Sequence, residues 1–340
     1  MPEKELKTNN DHVSILMPVK NAALFLDECL NSIISQQEKN WELIAINDHS
    51  TDTSKVILES FVEKDERVRV YDNHRNGIIE ALRLAYTYST GQYITRMDAD
   101  DVMHTNKIEN LKSKVKHFGK GHVAVGGVEY FSKEPLGEGY SKYAKWLNAL
   151  SEKGQNFQEI YKECVIPSPC WMMHRSDFNR IGAFDLDIYP EDYDLCFRMY
   201  INDLVVIPCS KILHKWRDHS NRSSRTMSEY ADNSFLSLKL KYFFKKDWQE
   251  HKTLVVWGAG TKGKKVASIL IDSQKEFKWI CNNQNKIGRD IYGIKLEDIT
   301  SLDHNKEYQF LVLVANSEEQ LSIRNNDLFK INSTSSYFFC

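Results

Sequence analysis

Hydrophobic and polar positions alternate along the first hundred residues in blocks that predict strands and helices in turn. Short apolar runs bounded by polar residues predict buried strands, and apolar residues three and four apart predict amphipathic helices. The predicted strands are Val13–Met17, Leu43–Ile46, Val68–Tyr71 and Tyr93–Met97, and the predicted helices are Leu24–Ile34, a segment from the N-cap Asp52 or Thr53 through Phe61, and Ile78–Tyr88. Strands separated by helices of this length form βαβ units, which predicts a mostly parallel sheet.

The middle of the chain is less regular, and a second α/β pattern follows it. The predicted elements here are strands at Val123–Tyr130, Cys170–His174 and Leu204–Ile207, helices at Tyr193–Tyr200 and Ser228–Phe244, a polar linker at Lys245–Lys252, a strand at Leu254–Trp257, a helix through Ile271, and strands at Phe277–Ile280 and Phe310–Val314. The predicted organisation is a flexible N-terminus (1–11), a large α/β domain (12–225), a helix and linker (226–252) and a small α/β domain (253–340).

Composition places the chain among globular proteins without a strong charge bias. A hydrophobic fraction of 41% supplies a sizeable core, and the net charge of −2 gives no field that attracts nucleic acid. Seven cysteines without CxxC spacing indicate free thiols in a reducing compartment. The polar N-terminus lacks the apolar region of a signal peptide, and no run of about 18 apolar residues occurs. We therefore expect a cytoplasmic protein, with peripheral contact at the inner face of the membrane left open.

Polar segments follow each of the first four predicted strands, where a parallel sheet binds its ligands. Asp98 and Asp100, two positions apart after the fourth strand, can aim at one divalent cation, and their oxygen ligands suit Mg²⁺ or Mn²⁺. An Asp-rich surface turn is the alternative, but the place of the pair favours a metal site. Asp48, after the second strand, can accept from the N–H of a nucleotide base, while helix capping explains its neighbours.

Three segments together resemble family 2 of the inverting glycosyltransferases. They are Val13–Asn21 (VSILMPVKN), Asn47–Asp52 (NDHSTD) and Arg96–Asp101 (RMDADD), the last preceded by Gly91–Ile94. The resemblance covers roughly residues 12–225, which it identifies as a glycosyltransferase catalytic domain. It implies a glycosyltransferase A fold, a nucleotide-diphosphate sugar with UDP as the default nucleotide, and a divalent metal.

The same resemblance implies site residues. They are Pro18, Lys20, Asn21, Asp48, Arg75, Asp98 and Arg217 for the donor, Asp100, Asp98 and His219 for the metal, and Trp171 for the acceptor side. Segment Pro190–Asp194 resembles the acidic motif that holds the catalytic base. An inverting transfer needs one carboxylate to take the proton of the attacking hydroxyl, with Asp192 the first choice and Glu191 the second. Each assignment has a structural alternative. The acids of Pro190–Asp194 would then only favour a helix N-terminus, Trp171 would belong to a buried strand, and His219 would be a structural histidine.

Near the C-terminal end, Gly258, Gly260 and Gly263 follow a predicted strand with the GxGxxG spacing of dinucleotide-binding folds. Such a loop binds phosphate through backbone N–H groups at a helix N-terminus. The acid expected about 20 residues later for a ribose is missing, because Asn282 and Asn283 follow the next strand. This segment resembles small Rossmann-like modules of bacterial sugar-modifying enzymes, and we favour a structural or homo-oligomerisation role over NAD binding.

The sequence therefore predicts a hexosyl- or N-acetylhexosaminyl-transferase. Its acceptor would be a saccharide or lipid-linked saccharide in the synthesis of a cell-surface polysaccharide or glycolipid, by analogy with the family. Two alternatives remain at this point. One is an NAD(P)-dependent oxidoreductase that uses the C-terminal glycines, and the other is a non-catalytic protein that binds a nucleotide sugar.

Overall fold

The computed structural model describes residues 9–132, 137–220, 222 and 235–340. The chain forms two compact units, one made of Met1–Gln158 and Val165–Tyr230 and the other of Glu159–Cys164 and Ala231–Cys340. The second unit thus takes in a short segment from the middle of the chain, which the sequence pattern did not indicate. Most of the predicted flexible N-terminus and the first turns of the predicted helix at 228–244 lie outside the described residues.

The first unit contains two sheets. Its strands are β1 (Asn9–Val19), β2 (Trp41–Asn47), β3 (Val68–Asp72), β4 (Gly91–Arg96), β5 (Val102–Met103), β6 (His122–Val125), β7 (Gly127–Phe131), β8 (Trp171–His174), β9 (Val205–Ile207) and β10 (Ile212–Arg217). The larger sheet has the order β3-β2-β1-β4-β8-β6-β9, and β5-β10-β7 form the smaller one. Neighbours in the larger sheet are parallel except around β8, which is antiparallel to β4 and β6. The predicted fold class, a mostly parallel sheet flanked by helices, is confirmed.

The register of the larger sheet aligns the ends of its central strands. Val19 pairs with Asn47, and Asn47 pairs with Asp72, so β1, β2 and β3 end level with one another. On the other side, Leu16 of β1 pairs with Arg96 at the end of β4. The loops that follow these four strands therefore emerge at one edge of the sheet, as the sequence predicts.

The helices cover this sheet with narrow apolar faces. They are α1 (Ala23–Ile34), α2 (Ser54–Lys64), α3 (Ile78–Tyr88), α4 (Lys107–Phe118), α5 (Glu138–Lys153), α6 (Arg175–Arg180) and α7 (Glu191–Ile201). In α1 the buried apolar positions Leu26, Leu30 and Ile33 are spaced by four and three residues, and they pack in the same core as β1. Helix α5 escaped prediction because its buried stripe is thin, with only Ala144 and Leu147 as buried apolar residues.

The prediction of one strand over Val123–Tyr130 is wrong. The chain instead forms β6 and β7, which belong to different sheets, with Gly126 between them. A Cβ atom at Gly126 would lie 2.8 Å from the Sγ of Cys170 and 2.8 Å from Cδ1 of Leu213. Glycine is needed because the backbone passes this closely against neighbouring side chains as it crosses between the sheets.

The second unit repeats the α/β alternation on a smaller scale. Its elements are α8 (Leu236–Lys246), β11 (Thr253–Trp257), α9 (Thr261–Asp272), β12 (Lys278–Ile280), β13 (Asp290–Ile291), β14 (Ile294–Lys295), β15 (Tyr308–Val312), α10 (Ser317–Asn325), α11 (Asp327–Ile331) and β16 (Ser336–Phe338). Strands β12-β11-β15-β16 form a parallel sheet in that order. Within the described ranges, no helix is long and apolar enough to cross a bilayer.

Candidate active site

Side chains that accept hydrogen bonds from backbone N–H groups connect the loop after β1 to the loop after β2. Asp52 contacts the first residue of two helices, since Oδ1 accepts from Ser54 N at 2.9 Å and Oδ2 accepts from Ala23 N at 3.0 Å. Asn21 has a left-handed φ of 51°, and its Oδ1 accepts from Thr51 N at 2.8 Å. Asn21 therefore acts on the conformation of the sheet edge through its hydrogen bond to the loop after β2.

Asp48 is buried and already holds its surroundings in place. Its Oδ1 accepts from Asn73 Nδ2 at 2.7 Å, and both carboxylate oxygens lie 3.1 Å from the N–H of Gly77. The exposed Lys20 places Nζ 3.5 Å from Oδ2. Sequence reasoning left this carboxylate free for a base, whereas the structure engages both oxygens, so a base N–H would have to share them. The signal that sequence reasoning missed is the segment Asn73–Gly77, because the side-chain amide of Asn73 and the backbone N–H of Gly77 both donate to Asp48.

The other predicted nucleotide residues flank this group. Pro18 lies half-buried in β1, opposite Ile46 of β2. Arg75 is exposed, its backbone N donates to Asn73 Oδ1 at 3.1 Å, and its Nη1 reaches Glu80 at 3.1 Å. The structure thus brings Lys20, Asn21 and Asp48 together and leaves the guanidinium of Arg75 at the periphery.

The Asp98-Ala99-Asp100 segment after β4 meets charged groups from elsewhere in the fold. Asp98 Oδ1 accepts from Arg96 Nε at 2.8 Å, and Asp100 Oδ2 lies 2.9 Å from His219 Nε2. Desolvation raises the pKa of Asp98 against the opposing effect of Arg96, and the nearby Asp100 raises it further. The sequence prediction placed His219 beside this pair, and the structure brings its ring into contact with Asp100.

A buried set of side chains behind this loop escaped prediction. Asp101 Oδ2 lies 2.9 Å from His214 Nε2, and His214 Nδ1 lies 3.1 Å from Lys107 Nζ. All three are essentially inaccessible to solvent, and burial lowers the pKa of His214 well below its usual value. Both ring nitrogens of His214 are therefore engaged by other side chains. The available signal was Asp101, the third acid of the segment Asp98–Asp101.

Arg217 is held under the same loop. Its Nε donates to Asp100 O at 2.6 Å, its backbone N donates to Asp101 Oδ1 at 2.8 Å, and Nη2 pairs with Glu28 at 2.5 Å. The guanidinium also lies over the ring of Phe131, 4.3 Å from its centroid. Through these contacts Arg217 supports the loop Asp98–Asp101, called the aspartate loop below, and its contact with the donor stays a prediction.

The acidic start of α7 lies next to this cluster. Glu191 is buried and accepts from Arg96 Nη1 at 2.9 Å, while Asp192 is partly exposed and accepts from Tyr193 N at 2.7 Å. Desolvation, and then the adjacent Glu191, raise the pKa of Asp192 to about 7, against the opposing effect of Arg96. Asp192 and Arg96 line a small cavity of about 10 Å³ together with Trp171.

Trp171 does not face an acceptor directly in this conformation. Its side chain is only 2% exposed, and its ring stacks on Phe178 with centroids 5.8 Å apart. These contacts are those of a residue in a buried strand, which is the structural alternative to an acceptor contact. Its assignment to the acceptor side stays a prediction.

The C-terminal glycines have the geometry of a tight strand–helix turn. Gly258 has a φ of +126°, and a Cβ at Gly263 would lie 2.0 Å from Gly258 O, so α9 can approach β11 only with glycine there. Nothing lies within 4 Å of a Cβ at Gly260. After β12, Asn282 Oδ1 accepts from Trp257 Nε1 at 2.9 Å, in the region where a nicotinamide dinucleotide fold presents an acid.

Comparison with known proteins follows the first unit. Residues 14–182 match the family described as glycosyl transferase family 2. An uncharacterized glycosyltransferase of Haemophilus influenzae is 38% identical over 247 residues, 67% of this chain and 72% of that protein. Glu191, Asp192, Arg217 and His219 lie beyond the range of the family match.

Three further proteins show how far the similarity extends. Glycosyltransferase GlyA of Streptococcus pneumoniae serotype 4 is 27% identical over 227 residues, 65% of this chain but 32% of that protein. The chain spans about a third of the length of GlyA, and it covers 35% of glycosyltransferase GlyG of the same organism. The crystal structure of S. aureus TarS 1-349 in complex with UDP-GlcNAc matches with a TM-score of 0.53 at 16% identity, covering 76% of this chain and 71% of that one, which indicates a shared fold.

Proposed function

Because this chain belongs to glycosyl transferase family 2, we propose that it transfers a sugar, with inversion, from a nucleotide-diphosphate donor to an acceptor hydroxyl. The observation that carries the proposal is the arrangement around Arg96. This one buried guanidinium contacts Asp98 of the aspartate loop and Glu191 at the start of α7. The groups assigned to the donor and to the base thus belong to a single network.

A divalent metal fits the aspartate loop as a partner of the donor. Asp100 and His219 converge to 2.9 Å, and carboxylate and imidazole are suitable ligands for Mn²⁺, with Mg²⁺ favouring the carboxylate. The described residues contain no preformed cluster of three or more ligating side chains. A metal held by Asp100 and His219 would have its coordination completed by substrate phosphates. When bound, the ion would neutralise charge on the departing diphosphate.

Asp192 is the better candidate for the base. Glu191 is buried against Arg96, whereas Asp192 keeps some exposure and forms no salt bridge with the described residues. A pKa of about 7 matches the requirement that a general base be ionised at the working pH and still accept a proton effectively. Asp192 would take the proton of the acceptor hydroxyl as the new glycosidic bond forms on the face opposite the leaving diphosphate.

The nucleoside would lie over the edge formed by the loops after β1, β2 and β3. Lys20 is exposed beside Asp48, and Asn21 accepts a hydrogen bond from Thr51 N, which holds the loop after β1 against the loop after β2. UDP is our proposed nucleotide. TarS, whose structure was determined with UDP-GlcNAc, has the same fold, but that likeness alone does not transfer its donor.

The biological setting rests on the family alone. We propose a hexosyl or N-acetylhexosaminyl donor and a saccharide or lipid-linked saccharide acceptor in the synthesis of a cell-surface polysaccharide or glycolipid. A cytoplasmic location, peripheral contact with the inner membrane face and self-association through the second unit are further proposals. The small Rossmann-like unit would have a structural or assembly role.

A donor-turnover assay tests the central proposal. Release of nucleoside diphosphate from UDP-, GDP- and dTDP-sugars would be followed with Mn²⁺ and a panel of saccharide acceptors, and NMR would assign the product anomer. We expect Asp192→Asn to lower kcat by about 10³-fold while donor affinity changes little, since only the proton acceptor is lost. Donor binding with no turnover by the wild-type chain would favour the non-catalytic alternative.

A further inference from the structure

Arg96 occupies an unusual position at the end of β4. Its guanidinium is almost fully buried, and it contacts two carboxylates carried by different elements, Asp98 at 2.8 Å and Glu191 at 2.9 Å. Arg96 and Asp98 lie two positions apart, so one guanidinium edge serves the aspartate loop and leaves another for α7. Sequence analysis assigned it no role.

The orientation of Glu191 depends on Arg96. One Glu191 oxygen accepts from Nη1 of Arg96, and the other is buried with no hydrogen-bond partner among the described residues. Since a buried carboxylate needs a partner for its charge, loss of Arg96 would leave Glu191 without one. The next residue is Asp192, so any displacement of Glu191 is transmitted directly to the proposed base.

Arg96 also lies near the proposed base. Its side chain and that of Asp192 line the same small cavity, with Ser168 as a third polar wall. An ordinary buried salt bridge joins one cation to one carboxylate. Here one cation lies among Asp98, Glu191 and Asp192, which the proposed function assigns to the donor and proton-transfer sides of the reaction.

We propose that Arg96 is a positioning residue that fixes the start of α7 against the aspartate loop, so that the base and the leaving diphosphate are held at the right separation. Arg96 itself touches neither substrate. It acts through Glu191 and Asp98, and this role rests on the proposed transferase function. Misplacement of reacting groups by about 1 Å can lower a rate by about 100-fold, and a loss of that size is expected here.

The chain offers a matched control in the same helix. Arg198 is also buried, and its Nε donates to Asp194 at 2.7 Å while Nη1 donates to Ile181 O at 2.8 Å. Arg198→Met removes a buried arginine–carboxylate pair of α7 without touching Asp98 or Glu191. Its effect measures what the loss of such a pair does to the fold alone.

The experiment compares Arg96→Met, Arg96→Lys, Arg198→Met, Glu191→Gln and the double variant Arg96→Met/Glu191→Gln. Thermal unfolding, donor Kd, KM and kcat would be measured for each with Mn²⁺. We expect kcat to fall about 100-fold in Arg96→Met with at most a few-fold change in KM, and Arg198→Met to lose stability with kcat nearly unchanged. The double variant should lose no more kcat than Arg96→Met, because both changes break the same link.

Arg96→Lys keeps the charge but not the two-sided contact, so an intermediate kcat supports positioning even if Arg96→Met does not fold. Wild-type kcat in Arg96→Lys and Arg96→Met, or losses that match Arg198→Met or multiply in the double variant, would overturn the inference. A wild-type chain that turns over no donor would instead contradict the proposed function, which distinguishes the two failures.

Discussion

The mostly parallel sheet of the first unit and the parallel sheet of the second unit end in edges of different chemistry. The first presents acids held by basic or amide donors, as in Asp98 with Arg96, Asp100 with His219 and Asp48 with Asn73. The edge of the second sheet carries glycines and amides, including Gly260 and Asn282. Similar strand–helix topology thus supplies an edge in each unit, and the side chains there decide which ligand chemistry it can support.

The two edges also differ in whether charged side chains are held in place by the fold. In the first unit several partners of the acids come from distant segments, so the fold itself fixes where the negative charges lie. In the second unit, Gly263 serves the packing of α9 on β11, and the amide of Asn282 is already bonded to Trp257. The first edge is therefore suited to a metal–diphosphate group, while the second lacks the acid that binds a ribose.

Loss of the carboxylate at Asp100 should have the largest effect. Asp100→Asn removes the negative charge expected to hold the metal and leaves the hydrogen-bonding shape almost unchanged. We expect kcat/KM for donor turnover to fall by about 10³-fold, comparable to losing one preorganised charge-stabilising group. Manganese titration with EPR would show weaker binding. Unchanged Mn²⁺ affinity together with full activity would remove Asp100 from the site.

The pH dependence of kcat/KM, which reports the ionisation of the unliganded enzyme, tests the role of Asp192 at the first edge. Asp192 must be ionised to accept a proton, and its pKa is raised to about 7. The value of kcat/KM should therefore decline as pH falls through about 7, by about tenfold per unit below it. Steady-state rates from pH 5.5 to 9 would measure this limb. A flat profile down to pH 5.5 would rule out a base with this pKa.

A pair of glycine substitutions tests the second edge. A Cβ at Gly263 meets Gly258 O at 2.0 Å, so Gly263→Ala should destabilise the unit by about 3 kcal/mol, as overpacking does. Gly260→Ala meets nothing within 4 Å and is the matched control. Thermal unfolding gives the stabilities. A Gly260→Ala variant that loses affinity for NAD(H) would revive the oxidoreductase alternative.

The smallest expected effect is at Lys20. Its side chain is 55% exposed and 3.5 Å from Asp48, so Lys20→Ala removes a weak, screened ion pair. We expect the KM for the donor to rise by a factor of about 5 or less, with kcat unchanged. Increasing salt should reduce the difference between variant and wild type. A loss as large as that of Asp100→Asn would make Lys20 a direct phosphate ligand.

Periodicity predicted the regular elements well because burial imposes it on them. Helix α3 has the bounds Ile78–Tyr88 predicted from its apolar spacing, and β2 and β3 extend the predicted strands by a few residues. The prediction of one strand over Val123–Tyr130 failed because the apolar pattern resumes after the glycine pair Gly126-Gly127, and that pair alone does not show that the chain changes sheet there. That change depends on how closely Gly126 packs against Cys170 and Leu213, which are remote in sequence.

The candidate site was predictable in its acids and less so in their partners. Asp98, Asp100 and His219 were named from motifs, and the structure brings Asp100 and His219 together. The roles of Arg96 and of Lys107 escaped because each depends on a contact more than 60 residues away, Glu191 in one case and His214 in the other. Such pairings are set by tertiary packing, which local spacing does not encode.

The most direct test of the central claim is ligand-dependent thermal unfolding of the intact chain. UDP-, GDP- and dTDP-sugars and NAD(H) would each be tested with and without Mn²⁺, on the wild type, Asp100→Asn and Gly260→Ala. A ligand at 100 times its Kd stabilises the folded state by about 2.7 kcal/mol, which is readily measured. We predict a Mn²⁺-dependent shift with one class of nucleotide sugar that Asp100→Asn abolishes and Gly260→Ala preserves. A shift with NAD(H) alone, lost in Gly260→Ala, would contradict the account.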